Sequence, residues 1–265
     1  MNNPSFRLFV SSIAMLGLGV FAAMAGGEKE LLAPTGSLRV GVYQGSPTSM
    51  VTDPRTGQTH GLTHDLGEEL ARRLGVGIEY VTLPRIADVI DAIKAGRVDF
   101  TVSNATPARA QDVDFSQTLI SIELGYLVPR GSPVTRVDDI DRPGVRIGVT
   151  KGGTSERTLS AKFKNATIVP AESVKLAIEM LERGELDVYA TNKAILFEMS
   201  DALAGAQILE GNWGFEHMAI AIPKQHIAGM ETLKAFIGDV QSSGLLAKLQ
   251  QQAGLRGAVI ETPAK

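Results

Sequence analysis

The amino-acid sequence predicts an α/β protein of two lobes, each with a mostly parallel sheet flanked by helices. Three observations support this fold class. The chain has 265 residues, more than a single domain usually contains. A pattern of strand, helix and second strand occurs twice along it. Strand and helix patterns also alternate throughout, as in sheets whose parallel strands are joined by helices.

Composition excludes several classes of protein. Hydrophobic residues make up 44% and charged residues 21%, which excludes disorder, collagen and coiled coil. The net charge is −3, and Lys and Arg are spread along the chain, so we expect no nucleic-acid partner. Cysteine is absent, which excludes disulfides, a thiol nucleophile, a thiolate metal site and a lipid-modified cysteine.

Residues 1–25 are interpreted as a signal peptide. Arg7 is the only charge in the first 27 residues, and the apolar run that follows it ends in Ala23-Met24-Ala25, which predicts cleavage before Gly26. The alternative is an N-terminal membrane anchor, for which a run of about 18 residues is at the lower limit. We expect a periplasmic protein that is not lipid-anchored.

The first copy of the repeat begins with a strand at Leu38–Val42. A helix follows, with Thr63 as N-cap and Gly75 at its end. Its apolar face is formed by Leu66, Leu70 and Leu74.

The second copy begins at Val145–Val149. In each copy another helix precedes a second strand and ends at a glycine, Gly96 or Gly184. These two helices carry apolar stripes at helical spacing, which we assign to the core. The stripes are Ile86, Val89, Ile90 and Ile93 in one, and Val174, Ala177, Ile178 and Leu181 in the other.

Two crossings connect the lobes. Strand patterns at Leu124–Val128 and Met218–Ile222 predict a two-strand hinge. Helical patterns at Leu233–Val240 and Leu245–Ala253 have no counterpart in the second copy. We expect them to pack on the first lobe. The predicted lobe 1 is therefore discontinuous, 36–127 plus 222–265, and lobe 2 is 128–221.

Loops rich in hydroxyl and amide groups follow the repeated strands, where open α/β sheets bind ligands. Arg109 is the leading candidate, because its guanidinium can bind a carboxylate through two bonds. Its structural alternative is an ion pair with Asp112 or Asp114. The turn before Glu156 could hold an anion at a helix N-terminus or be an ordinary N-cap. The predicted ligand-binding residues are Tyr43, Ser46, Thr48, Ser103, Asn104, Thr106, Arg109, Gly153, Thr154, Ser155 and Asn192.

A set of short motifs along the chain resembles those of family 3 extracellular solute-binding proteins, the polar amino-acid receptors of ABC importers. They are Gly61 with Asp65-Leu66, Gly96-Arg97-Val98-Asp99, Thr106-Pro107-Ala108-Arg109, Val113-Asp114-Phe115-Ser116 and Ile147-Gly148-Val149 with Gly153-Thr154. The resemblance implies a type II periplasmic binding protein fold, a permease as partner, and a monomer that closes around a small solute. It also implies that Arg109, Asn104 and Thr154 hold the ligand's carboxylate.

The chain departs from this family at Asn192, where an Asp usually holds the ligand's ammonium group. With Arg109 present, and Lys151 or Lys193 as a further candidate cation, we expect a ligand weighted toward carboxylate, an amino acid or a related organic acid.

An enzyme and a metal-binding protein are alternative functions. A dehydratase or lyase of the same fold would need an acid in the cleft, for which Glu123, Glu210 and Glu216 with His217 are candidates. We interpret each as a hinge or surface residue, and expect no enzymatic activity and no cofactor. His60 and His64 are interpreted as solvated residues beside a turn, not as a metal site. The sequence leaves a sensory partner open as an alternative to a transporter.

Overall fold

A computed structural model describes residues 29–260. The predicted signal peptide and the last five residues of the predicted lobe 1 lie outside this range. None of the described helices has the length and apolarity that crossing a bilayer requires.

Residues 37–260 form twelve strands and seven α-helices. In chain order they are β1 (Ser37–Val42), β2 (Val51–Thr52), β3 (Thr59–His60), α1 (Leu62–Leu74), β4 (Gly77–Thr82), α2 (Ile86–Lys94), β5 (Thr101–Asn104), β6 (Val113–Val128), β7 (Arg146–Thr150), α3 (Thr154–Lys162), β8 (Thr167–Ala171), α4 (Val174–Glu182), β9 (Val188–Asn192), α5 (Lys193–Ala202), β10 (Gln207–Ile208), β11 (Gly214–Pro223), α6 (Ile227–Ser242), α7 (Leu245–Gln252) and β12 (Ala258–Ile260). Two single-turn 3-10 helices lie at Arg109–Gln111 and Val137–Asp139.

The two copies of the repeat fold with the same topology. In lobe 1, β1 pairs in parallel with β4 and, through a bridge from Val40 to Phe100, with the chain entering β5. In lobe 2, β7 pairs in parallel with β8 and β9. The first strand of each copy therefore lies between the other two. Loops at its carboxyl end face the point where the strand order reverses, which is where a ligand site is expected.

An arginine–aspartate pair recurs at the base of each copy. Arg39 on β1 donates from Nε and Nη2 to the two carboxylate oxygens of Asp99, at 2.9 and 2.6 Å, and its backbone N–H donates at 3.0 Å. Arg146 on β7 makes the same three bonds to Asp187, at 2.9, 2.8 and 2.8 Å. The repeated Arg and Asp of the sequence thus tie the first strand to the turn before the third.

Long crossing strands join the lobes. β6 has 16 residues; it pairs antiparallel with β11 over Val113–Leu124, and with β9 over Leu124–Leu127. β11 returns beside it and also pairs antiparallel with β5. The predicted two-strand hinge is confirmed, and the crossing strands make the sheet mixed.

Helices cover both faces of each sheet. In lobe 1, α1, α6 and α7 pack in one core cluster with Leu38 and Val40 of β1, and α2 packs on the other face. In lobe 2, α3 lies over one cluster and α4 with α5 over the other. The apolar stripes predicted for α1, α2 and α4 are those that face the core.

The start of α1 differs from the sequence prediction. Its N-cap is Gly61, and Thr63 is inside the helix. The Thr63 hydroxyl donates to the carbonyl of Thr48 at 2.7 Å and accepts from the amide of Val102 at 3.3 Å. The hydroxyl therefore ties the helix to a neighbouring loop and strand, which local sequence does not reveal. The helix ends as predicted, at Gly75 in the left-handed conformation.

Candidate functional site

A polar cleft lies between the lobes, beyond the carboxyl ends of β1, β5, β7 and β9. Its cavity volume is 40 Å³, below the roughly 300–1,000 Å³ typical of small-molecule pockets. Its walls come from both lobes and from the hinge strand β11. They are Tyr43, Ile86, Ser103, Asn104, Arg109, Thr150, Gly153, Thr154, Ser155, Thr191, Asn192, Ile195, Glu216 and Met218.

The loop after β1 contributes Tyr43 alone to the cleft walls. Ser46 and Thr48 are 0% and 1% exposed, and their hydroxyls lie 2.8 Å apart. The Tyr43 hydroxyl donates to Ser46 at 3.4 Å, and burial raises the pKa of Tyr43. Ser46 and Thr48 are both predicted to bind ligand. In the structure their hydroxyls form a buried pair behind Tyr43.

Arg109 brings a buried positive charge to the lobe 1 wall. It begins a 3-10 helix and is 7% exposed. Its Nη1 donates to the Ser103 hydroxyl at 2.8 Å and to the Asn104 carbonyl at 3.2 Å. Thr106, which does not line the cleft, accepts the Arg109 amide at 3.3 Å. The local hydrogen bonds therefore fix the side chain while Nη2 and Nε make no bond to any described residue.

The alternative roles predicted for Arg109 are not observed. Asp112 pairs with Lys94 at 2.6 Å, and Asp114 with Lys224 at 3.0 Å. Between residues 29 and 260, no carboxylate oxygen lies within 4.0 Å of the Arg109 guanidinium. Burial lowers the pKa of Arg109, and the charge of Glu216 partly offsets this effect. A buried cation without a paired anion is costly, and an anionic group in the cleft would relieve this cost.

The lobe 2 wall is the N-terminus of α3. Gly153 is the N-cap and has no side chain to cap this end, and the Glu156 carboxylate in the first turn accepts the N–H of Gly152 at 2.5 Å. Thr154 and Ser155 form its first turn and line the cleft. Uncapped N–H groups at a helix start carry partial positive charge. The amides of this turn therefore add to the positive potential that Arg109 supplies from lobe 1, and the carboxylate of Glu156 offsets part of it.

Equivalent asparagines of the two copies both line the cleft and each bonds the hinge strand β11. Asn104 ends β5 and donates from Nδ2 to the Thr154 hydroxyl at 3.2 Å, across the cleft. Asn192 ends β9, caps α5 through Oδ1, and donates from Nδ2 to Oε2 of Glu216 at 2.8 Å. Burial raises the pKa of Glu216, and the hydrogen bond from Asn192 and the charge of Arg109 only partly offset this effect.

The two lysines expected near the ligand lie elsewhere. Lys151 is exposed and pairs with Glu172 at 2.5 Å. Lys193 pairs with Glu123. Neither lines the cleft, because each reaches a carboxylate outside it. The charged side chains on the cleft walls are therefore Arg109 and Glu216, one cation and one carboxylate, without the further cation that Lys151 or Lys193 would have supplied.

Eight predicted site residues share this cleft, and three do not line it: Ser46, Thr48 and Thr106. Sequence reasoning missed the apolar walls Ile86, Ile195 and Met218, and it placed Glu216 in the hinge without assigning it to the site. The available signal was strand alternation, since Glu216 and Met218 share a face of β11.

Contacts between the lobes also form at the rim of the cleft. Arg85, at the start of α2, pairs with Glu172, which precedes α4. A Cβ added at Gly152 of lobe 2 would lie 2.6 Å from the Cβ of Ala87 in lobe 1. The lobes therefore meet in direct contact around the cleft.

Two hinged lobes that enclose a polar cleft with a buried, unpaired arginine define a solute-binding protein. An ancestral amino acid-binding protein, described as a precursor of cyclohexadienyl dehydratase, has the same fold, with a TM-score of 0.74 at 24% identity over 85% of this chain and 98% of that one. The family model of bacterial extracellular solute-binding proteins, family 3, matches residues 38–255. The chain belongs to this family.

Curated relatives include two amino-acid-binding proteins. The glutamine-binding protein of a Bacillus subtilis ABC transporter is 24% identical over 196 residues, 72% of this chain and 71% of that protein. A probable histidine-binding protein of Neisseria gonorrhoeae is 28% identical over 200 residues, 73% of this chain and 74% of its own length.

Proposed function

We propose that the chain is the periplasmic receptor of an ABC importer and binds an amino acid between its lobes, with Arg109 holding the carboxylate. The observation that carries this proposal is the buried guanidinium of Arg109, which has no carboxylate within 4.0 Å among residues 29–260. A solute carboxylate supplies the missing anion. The names of the two curated relatives support an amino acid as the solute.

Binding requires motion of the lobes. The cleft volume of 40 Å³ is too small for a solute of this class, so the lobes separate to admit it. Lobe 1 offers Arg109 and Ser103 first, and closure then brings Thr154 and the start of α3 to the same solute. Asn104 and Thr154, which bond each other at 3.2 Å here, would then both turn their polar groups toward the solute.

The same proposal includes the boundaries of the lobes, the oligomeric state, the localisation and the absence of catalysis. The lobes comprise 36–127 with 222–265, and 128–221. The protein is a monomer that reaches the periplasm through a cleaved signal peptide, carries no lipid anchor, and presents its closed form to a permease. It has no enzymatic activity. Glu216, the one candidate acid that lines the cleft, is held by Asn192 at 2.8 Å, in keeping with a binding role.

Titration calorimetry on the mature protein, refolded to remove carried solute, tests the proposal with the twenty L-amino acids as probes. Replacing Arg109→Ala removes charge-assisted bonds worth about 3 kcal/mol, so affinity should fall about 100-fold. Arg136→Ala is the matched control, since Arg136 is 73% exposed on lobe 2. Binding of no amino acid, or affinity within threefold in Arg109→Ala, would contradict the proposal.

A further inference from the structure

Glu216 is a carboxylate in the cleft that the carboxylate-binding role of Arg109 does not explain. It lies on the hinge strand β11, opposite Ile122 of β6. Because side chains alternate along a strand, Glu216 and Met218 line the cleft, while His217 between them bonds Ser121 with its ring, at 2.8 Å. The strand therefore aims Glu216 into the binding site.

The partners of Glu216 are neutral. Its carboxylate accepts from the Asn192 amide at 2.8 Å, and the Thr154 hydroxyl lines the same cleft. No Lys, Arg or His nitrogen of residues 29–260 lies within 4.0 Å of it. A carboxylate enclosed in a cleft and held by neutral donors alone still lacks a counter-ion.

Arg109 does not fill this need in the structure. Each of the two groups influences the pKa of the other, so they lie within electrostatic reach, yet they form no ion pair. An ion pair that served only to stabilise the fold would form two hydrogen bonds between guanidinium and carboxylate, as Arg39 and Asp99 do at 2.6 and 2.9 Å. Arg109 and Glu216 instead stand as two separate, opposite charges on the walls of one cleft, and they are complementary in charge to a molecule that carries both.

We propose that Glu216 is the specificity-determining residue that accepts the ammonium group of the solute, and that the site therefore selects zwitterions over simple organic acids. This inference rests on the proposed function and names the chemical class of its solute. An organic acid would satisfy Arg109 but leave Glu216 enclosed without a cation. A second carboxylate placed near Glu216 would be repelled by it.

Isosteric pairs of solutes isolate the contribution of Glu216. The probes are L-glutamate with L-2-hydroxyglutarate, L-leucine with L-2-hydroxyisocaproate, and the best-binding L-amino acid of the twenty with its 2-hydroxy acid. The wild-type protein should bind the amino acid at least about 30-fold more tightly than its hydroxy analogue. In Glu216→Gln, whose amide oxygen can still accept from Asn192, this preference should fall below about threefold, mainly through weaker amino-acid binding.

Glu123→Gln is the matched control, because Glu123 lies on the other hinge strand and pairs with Lys193 outside the cleft; it should keep the preference. Equal binding of both members of each pair by the wild-type protein would overturn the role of Glu216 and leave the receptor function standing. An unchanged preference in Glu216→Gln would do the same. Binding of no probe at all would overturn the receptor function and this inference with it.

Discussion

The duplicated arginine–aspartate pair allows a quantitative test with a built-in comparison. The perturbation is Asp99→Asn in lobe 1 or Asp187→Asn in lobe 2. Each aspartate accepts three hydrogen bonds from one arginine. An asparagine offers one acceptor oxygen and turns an amide toward the remaining donors. The geometry of the two pairs is the same, so their difference in solvent exposure decides the difference in cost.

Burial sets the expected magnitudes. The side chains of Arg39 and Asp99 are 18% and 4% exposed, against 41% and 13% for Arg146 and Asp187. Breaking a buried pair costs about 3–5 kcal/mol, whereas an exposed pair contributes about 0–1 kcal/mol. We expect losses of about 3 kcal/mol for Asp99→Asn and about 1 kcal/mol for Asp187→Asn.

Thermal unfolding at neutral pH and low salt is the assay. Each kcal/mol shifts the midpoint by about 2–4 °C in a chain of this size, so the expected decreases are about 6–12 °C and 2–4 °C. Hydrogen exchange of β1 and β7 assigns each loss to its lobe. An Asp187→Asn variant that loses as much stability as Asp99→Asn would refute the burial argument.

The pH dependence gives a second check. The bonds from Arg146 lower the pKa of Asp187 in the folded protein. A lowered folded-state pKa means that the stabilisation is present above the ordinary Asp pKa of about 3.9 and is lost as the pH falls from there through the lowered value. The stability difference between wild type and Asp187→Asn should therefore persist at pH 6 and shrink below about pH 4.

Three further outcomes are expected. Glu172→Gln removes the partner of Arg85 across the cleft rim, so solute binding should weaken about threefold at low salt and less at high salt. Glu179→Gln, a carboxylate within one helix, is the control and should leave solute binding unchanged. Gly152→Ala should weaken solute binding, measured by calorimetry, more than Gly184→Ala does, because both glycines have a φ near +70° but only Gly152 faces the other lobe. Equal effects of the two substitutions would argue against closure of the lobes around the solute. Glu216→Gln should raise the unfolding midpoint of the solute-free protein, because an amide costs less to bury than a carboxylate; a lower midpoint would contradict this.

Predictions from local sequence succeeded where the cause was itself local. The stripe Leu66, Leu70 and Leu74 follows from helical spacing and faces the core. Gly75 ends its helix because the left-handed conformation suits glycine. The repeat itself indicated two copies of one topology, and β7, β8 and β9 match β1, β4 and the entry to β5.

Predictions failed where a distant partner decides the role of a side chain. Thr63 has the chemistry of an N-cap, yet its hydroxyl is used by Thr48 and Val102. Lys193 follows directly after a cleft residue, yet its ammonium group pairs with Glu123, 70 positions away. The spacing between such partners carries no local periodicity, so no window of sequence reveals them.

The sequence by itself determined the class of fold, the two-strand hinge and the candidacy of Arg109, because each depends on spacing and residue type along a short stretch of chain. The tertiary structure decided which charges enter the cleft. It placed Glu216 of the hinge strand in the same cleft as Arg109 and paired Lys151 and Lys193 with carboxylates outside that cleft. It also left the guanidinium of Arg109 buried beside neutral partners. Electrostatic balance depends on distances and burial in three dimensions, and these are fixed only when the lobes pack.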